Sequence, residues 1–370
     1  MTGGILMRRQ WYHLPMAGLM AIAVVGLTLL FRPPSTTDFA QAYSPQNYEE
    51  MIATVETIGQ EPIQPLPSNI QWPPEQVELG KHLFNETNLS RNQQMSCATC
   101  HLLQSGGDDG LPVAIDVEQL PMDFNTPTVL NSGFNFRQFW NGRATSLEEQ
   151  MAETLLNPRE MGSSWESALS FLRNNRSYQQ AFQKAYDGNI SKATVSHAIA
   201  TFQRSLITPS PFDAYLRGDQ QAISADAKLG YQHFKNYGCI ACHQGVNIGG
   251  NIFQPFGAIR KYRSFFGLNG NTVTGEESGS DGSRSDIFQK EMLQHGPSSE
   301  HFKVPSLRNV ALTAPYLHNG NISNLQDVIQ MMASAQLDRT IAPEHVHQIE
   351  AFLNSLTGHL PGEQVGEQDV

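Results

Sequence analysis

Cys97-Ala98-Thr99-Cys100-His101 and, 142 residues later, Cys239-Ile240-Ala241-Cys242-His243 hold all four cysteines of the 370-residue chain. Each is C-x-x-C followed at once by histidine, the attachment signature of a c-type haem. The spacing has a chemical reason. Two thiols must reach two vinyl groups of one porphyrin while the adjacent imidazole reaches the iron, and a short turn into a helix puts all three on one side. A zinc site would gather four thiolates, or thiolates with further histidines, in one place. A thioredoxin-like redox pair would sit in a βαβ unit. With no cysteine left for disulfides, the reading is two covalent haems. His101 and His243 are their proximal ligands, and Cys97, Cys100, Cys239 and Cys242 their anchors.

Outward from the motifs, the chain shows a weak duplication. Leu79-Gly80-x-x-x-Phe84 precedes the first cysteine pair, and Leu229-Gly230-x-x-x-Phe234 precedes the second. That interval is a duplicated domain, not a solenoid repeat. Amphipathic periodicity predicts helices over 146–156, 164–173, 177–186, 193–206, 323–333 and 343–356, and a short one near 48–58. Residues 244–286, rich in Gly, Asn and Ser, read as loop. No run alternates like a strand, so the fold class is mainly α. Pro209-Ser210-Pro211 marks the boundary between a first haem domain, 67–209, and a second, 210–370. Residues 41–66, rich in Pro, Ser, Thr and Gln, read as a linker.

Acidic residues outnumber basic ones 35 to 24, a net charge of −11, which excludes a general nucleic-acid binder. Arg8 and Arg9 precede an apolar run from Met16 to Phe31. The run is close to the roughly 17–25 residues of a spanning helix, with its positive flank on the side that stays in the cytoplasm. Residues 1–40 are therefore a membrane anchor, or a signal peptide cleaved near Ala40-Gln41-Ala42. Either exports the rest of the chain, giving a periplasmic protein tethered to the inner membrane if the anchor stays.

Longer segments resemble the bacterial di-haem cytochrome c peroxidases. They are Asn125-Thr126-Pro127-Thr128-Val129-Leu130-Asn131, Phe139-Trp140-Asn141-Gly142-Arg143-Ala144, Leu147-Glu148-Glu149-Gln150 and Asn157-Pro158-Arg159-Glu160-Met161 in the first half. The second half adds Pro211-Phe212-Asp213-Ala214-Tyr215-Leu216-Arg217-Gly218-Asp219 and Pro305-Ser306-Leu307-Arg308-Asn309-Val310-Ala311-Leu312-Thr313-Ala314-Pro315-Tyr316. The resemblance runs from about residue 60 to 360. It implies two cytochrome c-like domains and reduction of hydrogen peroxide to water. The electrons would come from a small donor, a monohaem cytochrome c or a copper protein. It implies a peroxidatic haem on His101 and an electron-transfer haem on His243, whose far ligand matches Met332 in preference to Met331. Glu160 matches the acid–base glutamate and Gln150 the pocket glutamine. Trp140 matches a tryptophan between the haems, which either relays electrons or packs. Asn125, Thr313 and Pro315 match the ligands of a calcium ion, and a homodimer is implied. Glu148 and Glu149 read as solvated helix charges.

One position departs from the family. Many members carry a histidine about sixteen residues after the first motif, which caps the peroxidatic iron until the other haem is reduced. Here that position is Val117, and no histidine occurs between His101 and His197. The expectation is an open peroxidatic haem that needs no reductive activation, with Met122 the one alternative cap and His197 a packed or solvated helix residue. Two rival functions share the haem motifs. A maturation enzyme that oxidises a protein substrate, of the methylamine dehydrogenase type, would carry tyrosine where Met332 stands. A non-enzymatic electron carrier would close both irons with strong ligands.

Overall fold

The computed structural model describes residues 61–68, 70–256 and 301–360. The apolar run 16–31 and the helix expected near 48–58 lie outside them, as does most of 244–286. Ten helices of four residues or more are found among the described residues: α1 (Pro74–Phe84), α2 (Cys97–Cys100), α3 (Leu147–Leu156), α4 (Trp165–Asn174), α5 (Arg176–Tyr186), α6 (Lys192–Ser205), α7 (Pro211–Leu216), α8 (Ala225–Tyr237), α9 (Leu325–Leu337) and α10 (Pro343–Asn354). Local chemistry sets their ends. Ser146, Ser164, Ser191 and Ser224 each accept a backbone N–H at the N-terminus of α3, α4, α6 and α8. Proline opens α1, α7 and α10, where its missing N–H costs nothing. Gly238, at φ +97°, ends α8 and turns the chain directly into Cys239.

The helices bury two apolar clusters. The first gathers Leu79, Leu83 and Phe84 of α1 with Met151, Leu155, Trp165, Phe182, Ile199 and Phe202. The second gathers Phe212, Tyr231, Phe234, Ile329, Ile349 and Phe352. In the second, the ring of Phe212 meets Tyr231 at 4.9 Å and Phe352 at 5.0 Å, both edge-on. Edge-to-face contact suits the ring quadrupoles.

The Leu-Gly-x-x-x-Phe repeat has a structural reason. α1 crosses α6 at Gly80, and α8 crosses α10 at Gly230. A Cβ on Gly80 would lie 2.0 Å from the Ala198 carbonyl oxygen, and one on Gly230 would lie 1.8 Å from that of Gln348. Only glycine lets the backbones come so close. One turn further along the same helix face, Phe84 and Phe234 carry the contact on to the motif histidines.

Three features differ from the sequence reading. Residues 61–66, assigned by composition to a linker, run along the second cluster. Ile63 is buried and bridges Gly245, and Leu66 donates its N–H to the Asp213 carboxylate at 2.7 Å. Two isolated apolar residues among prolines carry no periodicity to announce this. Second, residues 253–255 and 301–303 form two antiparallel strands, β1 and β2, with Gln254 opposite Phe302. Three residues are too few to show alternation. Third, Glu148 is no solvated charge: it holds Arg204 through both oxygens, at 2.7 and 2.8 Å.

One buried ion pair ties the strap formed by residues 61–66, the start of α7 and the 305–309 segment together. Arg308 and Asp213 are fully buried and paired through two bonds of 3.0 Å. Arg308 also donates to the carbonyls of Val246 and Gln64, and Ser210 donates to Asp213 through both its N–H and its hydroxyl. Every strong donor and acceptor is thus satisfied, the condition for tolerating a buried charge.

Candidate active site

A cavity of about 1470 Å³, its open mouth included, lies in the first half of the chain. Its floor is the first motif: Cys97, Cys100 and His101 all line it. Ser96 caps α2 and exchanges hydrogen bonds with Thr99, so the two cysteines sit at the ends of a single helical turn. The His101 Nδ1 lies 3.0 Å from the Gly107 carbonyl oxygen, and the Phe84 ring lies 6.3 Å from the imidazole. A carbonyl at Nδ1 fixes the tautomer and leaves Nε2 as the lone-pair donor for a metal. Burial lowers the His101 pKa, which keeps the imidazole in the neutral, ligating form. Burial pushes the Cys97 thiol up to about 12 and Cys100 up to about 11. The walls are apolar, with Leu89, Met95, Val129, Leu147, Met151 and Ile199 among them. Two thiols and a fixed imidazole beneath an apolar slot fit a covalently held porphyrin.

One polar stretch of the wall comes from α3 and the turn after it. Trp140, Gln150 and Glu160, singled out from sequence, all line this cavity. Gln150 donates from Nε2 to the Thr154 hydroxyl at 3.0 Å, and Thr154 is in turn hydrogen-bonded to Glu160. Asn157 Nδ2 donates to Glu160 Oε1 at 2.8 Å. Burial raises the Glu160 pKa, with Thr154, Arg143 and Asn157 pulling against it. Thr154 and Asn157 were not legible as site residues, although Thr154 stands one helical turn from Gln150 and so shares its face. Arg143 is a further cavity residue, paired with Glu153 at 2.7 Å and lying over the Phe139 ring at 3.4 Å.

Trp140 donates its indole N–H to the Asn125 carbonyl at 2.9 Å, and its own carbonyl accepts from Lys303 of β2 at 2.9 Å. It therefore ties the cavity to β2. Beside it, His318 is ringed by Phe302, Phe256, Phe124 and Trp140 at 4.5–6.4 Å, and burial lowers its pKa to about 4. Asn125 is buried, and its N–H donates to the His318 carbonyl at 2.9 Å. It thus lies against the loop that carries Thr313 and Pro315.

The second motif repeats the first one's geometry. The His243 Nδ1 lies 3.3 Å from the Ile248 carbonyl oxygen, the Phe234 ring lies 6.3 Å from the imidazole, and burial lowers the His243 pKa to about 4. On α9, Leu325, Ile329 and Ala333 face the second cluster. Met331 is buried and Met332 half-buried.

Val117, which stands at the position where the resemblance places a capping histidine in many relatives, is buried and is not among the residues lining the cavity. The loop around it folds back on itself through the bridge between Ile115 and Pro121 and presents Ala114, Ile115 and Met122 to the cavity. His197 is buried on α6, with its Nδ1 2.8 Å from the Tyr186 hydroxyl.

Residues 74–221 match the family model of the di-haem cytochrome c peroxidases. The chain is 39% identical over 300 residues to the cytochrome c peroxidase Ccp of Escherichia coli, an alignment that takes in 80% of this chain and 61% of that longer protein. It is 36% identical over 304 residues to the cytochrome c551 peroxidase of Nitrosomonas europaea, covering 81% of this chain and 85% of the relative. Its fold superposes on the crystal structure of a MauG-like protein associated with microbial copper homeostasis. There the TM-score is 0.61 and the identity 25%, over 80% of this chain and 93% of the other. With the paired C-x-x-C-H sites and a relative matched over most of both lengths, the chain belongs to the di-haem cytochrome c peroxidase family.

Proposed function

We propose that this chain reduces hydrogen peroxide to water: one peroxide, two electrons and two protons give two waters. The observation that carries the reading is the Glu160 carboxyl in the wall of the His101 cavity, tied to Asn157 and, through Thr154, to Gln150. Two c-type haems, held by Cys97, Cys100 and His101 and by Cys239, Cys242 and His243, supply the redox chemistry when attached. Glu160 takes the proton from the nearer peroxide oxygen and returns it to the farther one, which makes that oxygen a leaving water. Its raised pKa brings it closer to the neutral range in which a carboxyl can do both. The Gln150 amide orients the peroxide without titrating. Gln150 and Glu160 keep their places because Thr154 and Asn157 hold them.

In this proposal Met332 and His243 would hold the iron of the second haem, a pairing that would raise its potential and suit electron entry. A small cytochrome c or copper protein delivers the electrons singly. Asn125, with the backbone carbonyls of Thr313 and Pro315, supplies neutral oxygen donors for one calcium ion, completed by water. The two clusters are cytochrome c-like domains, and the protein works in the periplasm as a homodimer, tethered or released at its N-terminus. Arg8 and Arg9 before the apolar run support the export.

The test is peroxide-dependent oxidation of a reduced small cytochrome c by the haem-loaded protein and by Glu160→Gln. The parent turns over, and the variant loses roughly 10²–10⁴-fold in rate with its haem spectra unchanged. A variant within threefold of the parent, or a parent without turnover, overturns the proposal.

A further inference from the structure

Arg159 sits beside Glu160 and uses all its polar groups on one task. Its Nη1 donates to Asp123 Oδ2 at 2.9 Å, its Nε to Asp116 Oδ2 at 3.4 Å, and its Nη2 to the Pro121 carbonyl at 2.8 Å. All three partners belong to the loop 114–123. Its backbone carbonyl accepts the Val117 N–H at 3.1 Å, so the main chain grips the same loop. On the other side, its backbone N–H donates to Asn157 Oδ1 at 3.0 Å, and Asn157 Nδ2 donates to Glu160 Oε1 at 2.8 Å. The connection runs unbroken from the loop, through Arg159 and Asn157, to the Glu160 carboxylate.

The loop is built to receive it. Asp116 divides its carboxylate: Oδ1 accepts the N–H groups of Glu118 and Leu120, and Oδ2 faces Arg159. The Ala114 N–H donates to the Phe124 carbonyl and the Met122 N–H to the Ala114 carbonyl. Arg91 adds a second clasp, to Glu118 at 2.9 Å. A half-exposed ion pair alone contributes little. Three bonds from one planar fork to three points of one loop fix orientation as well as distance, which a lysine cannot do.

We propose that Arg159 is a positioning residue, which fastens the loop 114–123 to the Asn157–Glu160 turn so that the loop wall of the cavity and the Glu160 carboxyl stand as one piece. The proposal rests on the peroxidase reading for its purpose, but not for its test. Without the clasp the loop opens and water reaches the Glu160 carboxyl. That carboxyl is faced by Arg143 and Glu153, by the Thr154 and Asn157 side chains, and by Cys97 and Cys100 of α2. Hydration relieves the burial that raises its pKa, so the carboxyl ionises at lower pH.

Hydrogen–deuterium exchange and infrared titration of the Glu160 carboxyl, on the haem-loaded full chain, test this. The variants are Arg159→Ala, Arg159→Lys and Asp123→Asn, with Glu160→Gln as the infrared blank. Arg159→Ala is expected to speed exchange at Val117 and Met122 about tenfold or more while α3 is unchanged. It is also expected to lower the Glu160 titration by about half a pH unit or more. Arg159→Lys and the exposed Asp123→Asn fall between it and the parent. Exchange within twofold of the parent, or superimposed titrations, overturns the proposal, and should Arg159→Ala fail to fold, Asp123→Asn decides it by the same criteria. Neither measurement uses peroxide, so a protein without turnover defeats the peroxidase reading alone.

Discussion

Replacing Gly80 or Gly230 by alanine separates the two haem sites. In each case the new methyl meets a backbone carbonyl oxygen at 2.0 or 1.8 Å. An ordinary contact needs over an ångström more, and the obstacle is main chain, which cannot swing aside as a side-chain tip would. Overpacking of this kind costs about 1–3 kcal/mol, toward the upper end against a rigid backbone. Better helix propensity returns up to about 1 kcal/mol. The net expectation is roughly 2 kcal/mol of destabilisation at either position. The displacement carries Phe84 away from His101 in Gly80→Ala, and Phe234 away from His243 in Gly230→Ala, since each ring lies 6.3 Å from its imidazole. The assay is urea denaturation of the haem-loaded protein with a redox titration of each haem beside it. Each variant should lower the denaturation midpoint and move the potential of its own haem more than that of the other. A midpoint equal to or above the parent's would refute the reasoning, because alanine would then be gaining its propensity without meeting the carbonyl.

Two further substitutions test the interior. Asp213→Ala leaves the fully buried Arg308 guanidinium without its counter-charge and should cost about 3–5 kcal/mol in urea denaturation, whereas Asp213→Leu with Arg308→Met should cost clearly less; a double variant no better than the single contradicts this. Burial pushes the Asp108 carboxyl up to about 6 from an ordinary 3.8, so the folded state holds that proton more tightly than the unfolded chain. The charged form therefore costs stability above about pH 6, and the cost fades as pH falls toward 4. Asp108→Asn should be stabilised over the parent at pH 8 by about 1–2 kcal/mol after screening, and by almost nothing at pH 4; an equal difference at both would count against it.

What the sequence reveals and what it hides divide along physical lines. The two motifs are legible because covalent attachment fixes their spacing, and the Leu-Gly-x-x-x-Phe repeat because a helix crossing and a ring contact recur one turn apart. The cavity residues Gln150, Glu160 and Trp140 are legible through resemblance alone, since a half-buried carboxylate on a turn has no local signature. The Arg159 clasp, the Glu148–Arg204 pair and the strap at 61–66 depend on partners tens of residues or more away. The strap's partner Arg308 is 244 positions from Gln64, a distance that no window of sequence spans. The two three-residue strands are invisible for the opposite reason, being too short to show a period.

The proposal extends to the resting state: with Val117 in place of a capping histidine, and only Ala114, Ile115 and Met122 of the loop 114–123 lining the cavity, we propose that the His101 haem would be open when fully oxidised. The direct measurement is an electron paramagnetic resonance spectrum of the fully oxidised, haem-loaded protein. The account predicts a substantial axial high-spin ferric signal beside one low-spin signal from the His243/Met332 haem. Two low-spin signals with no high-spin component would contradict it and make Met122 the first residue to replace.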